Sequence, residues 1–351
     1  MTDDVDIGEV TEAVELDRPE TAPSNLNVCV SGLSEEDGTR LGHALLATIQ
    51  TVSQYIRLER LDGVTAAVDY PRALVELDRG YETSHVLTPS TDIVYGIAMT
   101  PSVKRDGVIK SHIVLNANIV WPIQDPQNEF FRESLHIIAH ECAHVEITKV
   151  FDEAFPNTLL SGQRWDFLEA ARSDVILACW DEYAACRISA RFGKDPLDGY
   201  VETMTTSLVS IREKANEHIK AYRTHGDHDR ILLEIAGLYG NLMKFAGYLL
   251  GHMDGKGLKL PDVPQVEDAL QGHWFAPFFE QLHQALRAIW SEYGQWTDRA
   301  AFEAVGDILE EVLAEIGLTF HRNGERLDFR LPFTADTMPP GDEWLAALAT
   351  S

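Results

Sequence analysis

Five ionisable side chains crowd the otherwise apolar segment HIIAHECAHVEI, residues 136–147. Burying such groups costs free energy unless each has a partner. His140, Glu141 and His144 form the pattern HExxH. In a helix, two histidines four residues apart share one face and lie about 6 Å apart along the axis. This spacing lets both imidazoles bind one zinc ion and places the intervening glutamate beside them.

Glu141 is then the candidate general base. A bound zinc ion lowers the pKa of a water molecule to about 7, and a neighbouring carboxylate can take its proton as the water attacks a carbonyl. HExxH has only three fixed residues, so its surroundings matter. The helix around it is apolar, which indicates burial, and a buried cluster of this kind needs a cation. We therefore expect His140 and His144 to bind Zn²⁺ and Glu141 to be catalytic.

A catalytic zinc site needs one more protein ligand. The residues directly after His144 contain no further histidine, so the ligand must come from elsewhere. The segment CWDEYAACRISARF, residues 179–192, offers Glu182 between aromatic neighbours, followed by two alanines that permit close helix packing. We expect Glu182 to be the third ligand. Four other residues remain rivals for this role: Glu169, Cys179, Asp181 and Cys186.

Several other polar residues are candidates for a functional role. His136 shares a helical face with His140, so it either lines a cleft or is a core histidine that supports a ligand. Asp181 or Asp174 is suited to orient a ligand imidazole. The segment HGDHD, 225–229, resembles a ligand cluster but is better interpreted as a turn between helices. The candidates for stabilising an oxyanion are Tyr183, His218, Tyr222, His225 and His228.

The elements that must position these residues follow from periodicity and turn formers. Ser34 is a candidate N-cap for the first helix, and Asn323-Gly324 predicts a hairpin near the C-terminus. Strand 110–120 lies either at a sheet edge, where an extended substrate can add as a strand, or in the sheet interior. The predicted strands cover 26–32, 63–70, 92–100 and 110–120. The later helices are predicted at 126–155, 165–192, 198–223, 228–252, 264–293 and 298–316.

These elements predict an α+β fold. A small mixed β-sheet with the catalytic helices is followed by a largely helical C-terminal domain and a terminal β-hairpin. The expected divisions are a disordered acidic leader at 1–24, a catalytic domain at 25–195 and the helical domain at 196–351. We expect the helical domain to pack on the catalytic core and control access, because its helices carry periodic apolar stripes.

The order of these features resembles the gluzincin-type zincin metallopeptidases, in particular the ImmA/IrrE-like group of intracellular bacterial proteases. The resemblance covers roughly residues 60–195. It rests on His140, Glu141, His144 and the run Glu182-Tyr183-Ala184-Ala185. It implies a zinc-dependent endopeptidase acting on a specific intracellular protein. The chain departs from that group in its long loop between the two helices, the lack of a helix-turn-helix pattern and its helical C-terminal half.

The net charge and composition of the chain restrict its binding partners and its compartment. The net charge of −27 opposes binding to nucleic acid. No apolar run reaches the ~18 residues of a membrane span, and the N-terminus has no secretory pattern. Four cysteines without a CxxC pair suggest the cytoplasm. One alternative is a non-proteolytic regulatory or interaction protein on a zincin-like scaffold, against which the intact Glu141 argues. Another is a hydrolase of a small amide or a nucleotide, and the lack of a Gly-rich phosphate loop argues against the nucleotide. The oligomeric state is not indicated.

Overall fold

A mixed β-sheet forms the N-terminal part of the molecule. The computed structural model describes residues 18–89, 96–161, 166–324, 326–342 and 344. Within these residues the sheet has parallel neighbours β1, β2 and β5, and the short β3 and β4 both run antiparallel to β5 on its other side. The strands are β1 (Val28–Ser31), β2 (Leu61–Ala67), β3 (Ala98–Met99), β4 (Ser102–Arg105) and β5 (Val108–Asn116).

The strand predicted at 110–120 lies in the sheet interior. It corresponds to β5, which pairs with β2 on one side and with β3 and β4 on the other. The residues after it turn into a helix, because the side chain of Asn116 caps the next element by accepting a hydrogen bond from Asn118 N. Of the strand predicted at 92–100, residues 92–95 lie outside the described residues, and only Ala98–Met99 is a strand.

Helices make up most of the rest of the chain. As predicted, Ser34 caps the first helix through a hydrogen bond from Asp37 N. After the second strand, Pro71 lies in the first turn of a short helix, where its missing N–H costs nothing. The described helices are α1 (Glu35–Val52), α2 (Tyr70–Glu76), α3 (Ala117–Val120), α4 (Phe131–Ala154), α5 (Phe167–Ser189), α6 (Leu197–His225), α7 (His228–Lys256), α8 (Pro264–Leu270), α9 (Ala276–Ser291) and α10 (Ala300–Glu315).

The largest differences from the sequence analysis in the C-terminal half concern two of the predicted helices. The helix predicted at 264–293 is divided into α8 and α9, and Gly272 between them adopts a φ of 70° that favours glycine. Helix α7 continues to Lys256, four residues beyond its predicted end. The predicted hairpin is present as β6 (Thr319–Asn323) and β7 (Arg326–Arg330).

Helix α7 packs unusually closely against α5. A stripe of four glycines faces α5: Gly240, Gly247, Gly251 and Gly255. A Cβ placed on Gly251 would lie 2.1 Å from the carbonyl oxygen of Tyr183, and one on Gly247 would lie 3.0 Å from that of Cys179. Only glycine lets the two backbones approach this closely. The glycine stripe therefore fixes the position of α7 on the helix that carries Glu182.

One hydrophobic core runs across the boundary predicted at residues 195 and 196. It includes the inner faces of α4 and α5 together with those of α6, α7, α9 and α10. The helical C-terminal region thus packs directly on the two helices that carry the HExxH pattern and Glu182. No described helix is long and apolar enough to cross a membrane.

The leader predicted at 1–24 falls mostly outside the described residues, which begin at residue 18. Near its end, Thr21 Oγ1 donates hydrogen bonds to the carbonyl oxygens of Ser53, at 2.7 Å, and Ile56, at 3.0 Å. Leu58 N in turn donates to Thr21 Oγ1 at 3.0 Å. These bonds attach residues around Thr21 to the end of α1.

Candidate metal centre

Helix α4 holds the HExxH residues at its middle, where the helix is surrounded by the sheet and by α5. Glu141 and His144 are buried and His140 is largely buried. As the i, i+4 spacing predicts, the two imidazoles share one face, and their Nε2 atoms lie 3.1 Å apart. Two bare nitrogen lone pairs repel one another at this distance, so the pair requires a proton or a cation between them.

Glu182 on α5 completes a triangle of donor atoms. Its Oε2 lies 3.4 Å from His140 Nε2 and 3.7 Å from His144 Nε2. In a tetrahedral zinc site with ligand distances of about 2.0–2.1 Å, donor atoms lie about 3.3 Å apart. This oxygen is buried and accepts no hydrogen bond among the described residues. The three atoms therefore fit the dimensions and the chemistry of a zinc site.

Asp181, predicted as a rival ligand or an orienting residue, lies on the far side of His144. Its Oδ2 is 3.0 Å from His144 Nδ1, the nitrogen that points away from His140. Burial lowers the pKa of His144, but Asp181 and Glu182 outweigh this effect and raise it to about 10. Burial raises the pKa of Glu182, whereas the neighbouring imidazoles of His140 and His144 lower it to about 2. The carboxylates of Asp181 and Glu182 thus favour a positive charge at this site.

Glu141 lies beside the histidine pair and is held by the edge of the sheet. Its donor atom lies within 4.8 Å of those of His140 and His144. Thr100, in the turn between β3 and β4, donates from Oγ1 to Glu141 Oε2 at 2.6 Å and to the Glu141 carbonyl oxygen at 3.2 Å. The carboxylate therefore has a fixed direction and keeps Oε1 for another partner.

Tyr248 brings helix α7 into the site. Its hydroxyl donates a hydrogen bond of 2.6 Å to Glu182 Oε1, the oxygen that does not face the histidines. Its ring lies nearly parallel to that of His140, with a centroid distance of 6.1 Å and an interplanar angle of 15°. The four residues of the candidate site thus all have a supporting contact from another helix or from the edge of the sheet: His140, Glu141, His144 and Glu182.

His136 and Tyr183, predicted as possible cleft or supporting residues, have structural partners. His136 Nδ1 lies 3.1 Å from the carbonyl oxygen of Phe192, which can only accept, so this nitrogen carries the proton. Burial lowers the pKa of His136 to about 4, so the ring is neutral near pH 7. The Tyr183 hydroxyl donates to Asp254 Oδ2 at 2.5 Å and accepts from Arg187.

The remaining candidates lie apart from the histidine pair. Glu169 caps the first turn of α5, and Cys186 donates to the hydroxyl of Tyr200. His218 Nδ1 lies 3.0 Å from Glu234 Oε2 on α7. Asp227 caps α7, as expected for a turn at 225–229. The aromatic rings of Tyr222, His225, His228 and Phe329 pack together beside this turn.

Glu146, the last ionisable residue of the opening segment, ties α4 to two other regions. It accepts a hydrogen bond of 2.7 Å from Arg57 N and one of 3.3 Å from the hydroxyl of Tyr293. Burial raises the pKa of Glu146, and the bond from Arg57 N opposes this effect. Its contacts are those of a packing residue.

Sequence analysis missed Thr100 and Tyr248. Thr100 lies in AMTPS, where nothing in the local pattern predicts a contact with Glu141. Tyr248 lies between Gly247 and Gly251, and glycines spaced along one helical face indicate a close helix neighbour. That signal predicts proximity of α7 to another helix without identifying Glu182 as the partner.

Comparison of the chain with protein-family models, with curated proteins and with solved structures finds no significant match.

Proposed function

We propose that this protein is a zinc-dependent endopeptidase that hydrolyses peptide bonds of a specific intracellular protein. The observation that carries the proposal is the triangle of His140 Nε2, His144 Nε2 and Glu182 Oε2, with sides of 3.1, 3.4 and 3.7 Å. Three protein ligands leave one tetrahedral position for water or substrate, as catalytic zinc sites require. Glu141 beside the triangle supports hydrolysis over a purely structural metal site.

When bound, the ion supplies Lewis-acid activation of a water molecule and of a substrate carbonyl. The chain supplies the proton transfers and the orientation. Glu141 takes a proton from the attacking water and later delivers it to the leaving nitrogen. Thr100 holds the base in place, and Asp181 fixes the orientation of the His144 ring.

The edge of the sheet favours an extended peptide as substrate. Asn116 N on β5 donates to Ile97 O, and Ala98 pairs with Leu115. By the alternation of antiparallel pairing, the N–H and C=O of Ala98 then point away from β5. On the outer side of β4, Lys104 N already donates a hydrogen bond to the carbonyl oxygen of Arg79, so this position of β4 is paired. We propose that a substrate strand pairs beside β3, next to Glu141.

The compartment we propose is the cytoplasm. All four cysteines are free, and three of them are buried. Free thiols in the core suit a reducing environment. Tyr248 on α7 contacts Glu182, and we propose that the C-terminal region controls access to the site.

The test is Glu141→Gln. The amide keeps the shape of the side chain and its bond from Thr100 but cannot accept a proton. We expect unchanged zinc content and fold, and cleavage of the substrate lower by about 10²–10⁴-fold. Cleavage is measured by comparing the proteomes of cells that express the wild type or the variant, and with casein for the purified proteins. Near-normal turnover would reject Glu141 as the base, and a zinc-loaded wild type that cleaves nothing would favour the regulatory alternative.

A further inference from the structure

The two oxygens of Glu182 have different partners. Oε2 faces both imidazoles, at 3.4 and 3.7 Å, whereas Oε1 accepts the hydroxyl of Tyr248 at 2.6 Å. A carboxylate can bind a metal ion through one oxygen or through both. A short hydrogen bond to a carboxylate is stronger than one between neutral groups. The bond from Tyr248 to Oε1 therefore competes with binding of the metal ion through both oxygens.

The position of Tyr248 is fixed independently of Glu182. Gly247 and Gly251 on either side of it place the α7 backbone against the carbonyl groups of Cys179 and Tyr183. Its ring is also held between His140 and Tyr200, with centroid distances of 6.1 and 5.6 Å. Because the ring and the backbone are both constrained, the hydroxyl cannot follow Glu182 if the carboxylate rotates.

We propose that Tyr248 is a positioning residue that keeps Glu182 a ligand through Oε2 alone. This inference rests on the proposed metal site. By occupying Oε1, the hydroxyl leaves the fourth tetrahedral position for water or substrate. It also makes α7, in the helical C-terminal region, a part of the metal centre.

The test uses the full-length protein with Zn²⁺ or Co²⁺ and the variant Tyr248→Phe. We expect the zinc affinity of the variant to fall by about 10–100-fold, as for other residues that support a ligand. The visible spectrum of the Co²⁺ form should change from the intense bands of four-coordinate cobalt to the weaker bands of a higher coordination number. Tyr200→Phe is the matched control, because its hydroxyl contacts Cys186 and its ring neighbours Tyr248. It should leave affinity and spectrum unchanged.

A second test, which needs no variant, is to determine the crystal structure of the wild-type protein with bound zinc. It should show Glu182 bound through one oxygen with the Tyr248 hydroxyl on the other; binding through both oxygens would overturn the proposal. If Tyr248→Phe binds zinc and cobalt as the wild type does, Tyr248 has no positioning role while the metal site stands. If the wild type itself binds no zinc, the proposed function and this inference both fail.

Discussion

The hydroxyl of Thr100 lies 2.6 Å from Glu141 Oε2 and so joins the edge of the β-sheet to the middle of helix α4. The same hydroxyl also reaches the carbonyl oxygen of Glu141, at 3.2 Å. If Glu141 is the general base, the residue that fixes its direction directly follows β3, the strand beside which we place the substrate. Substrate binding at this edge and proton transfer are then connected through one side chain.

Thr100→Val replaces the hydroxyl by a methyl group of similar size. A hydrogen bond to a charged group contributes about 1.5–3 kcal/mol, so we expect turnover to fall by roughly 10–100-fold. Zinc content should stay the same, because Thr100 contacts none of the three proposed ligands. Thr100→Ser keeps the hydroxyl and should retain most of the activity. Equal turnover in the valine and serine variants would show that this bond does not position the base.

Gly251→Ala tests the close approach of α7 to α5. The added Cβ would lie 2.1 Å from the carbonyl oxygen of Tyr183, so the helices must separate. We expect a loss of stability of about 1–3 kcal/mol or more in urea unfolding, together with weaker zinc binding because Tyr248 moves. Gly237→Ala on the same helix meets no atom within 4 Å and should stabilise the protein by about 0.5–1 kcal/mol. Similar effects of both substitutions would reject a close-packing role for Gly251.

Asp254 gives a prediction for the dependence of stability on pH. Its side chain is 1% exposed and accepts hydrogen bonds from Tyr183, Arg187 and Arg287. Burial raises the pKa of Asp254, but its bonds to His283, Arg287 and Tyr183 outweigh this and hold the pKa well below its usual range. The ionised carboxylate therefore stabilises the fold above the unfolded pKa of about 3.9, and this contribution declines as the pH falls below that value.

Asp254→Asn should cost about 1.5–3 kcal/mol near pH 7, because it weakens the hydrogen bonds that Arg187 and Arg287 donate to a charged group. The difference from the wild type should shrink when urea unfolding is repeated near pH 3. Glu202→Gln, at an exposed position of α6, is the control and should have little effect at either pH. A difference for Asp254→Asn that is constant over this range would mean that its charge does not contribute.

The sequence predicts the α+β fold well because most of its elements carry their own signals. The cap at Ser34, the turn at Gly226-Asp227 and the hairpin at Asn323-Gly324 depend on local chemistry, and all three are present. The division between α8 and α9 was missed although the sequence signals it, since Gly272 adopts a φ of 70° and Pro277 lies in the first turn of α9. The interior position of β5 depends on pairing with distant strands, which local patterns do not encode.

The candidate site likewise combines contacts that local sequence patterns predict with contacts that they do not. His140 and His144 meet because of the period of one helix, and the structure brings Glu182 to them as the sequence analysis expected. Thr100 and Tyr248 are 41 and 66 residues away in sequence from the side chains that they contact. Their contacts depend on how the sheet edge and α7 pack against α4 and α5, so only the three-dimensional arrangement identifies them.

The measurement that tests the central claim most directly is the zinc content of the purified protein and of three variants. We expect one zinc ion per chain in the wild type, and values near zero for His140→Ala and His144→Ala because each removes one of three ligands. Glu182→Ala should reduce the affinity as well, because Asp181 lies on the other side of His144. His218→Ala, which alters a histidine on α6 paired with Glu234, is the control and should keep its zinc. Full zinc content in both His140→Ala and His144→Ala, or none in the wild type, would contradict the proposed metal centre.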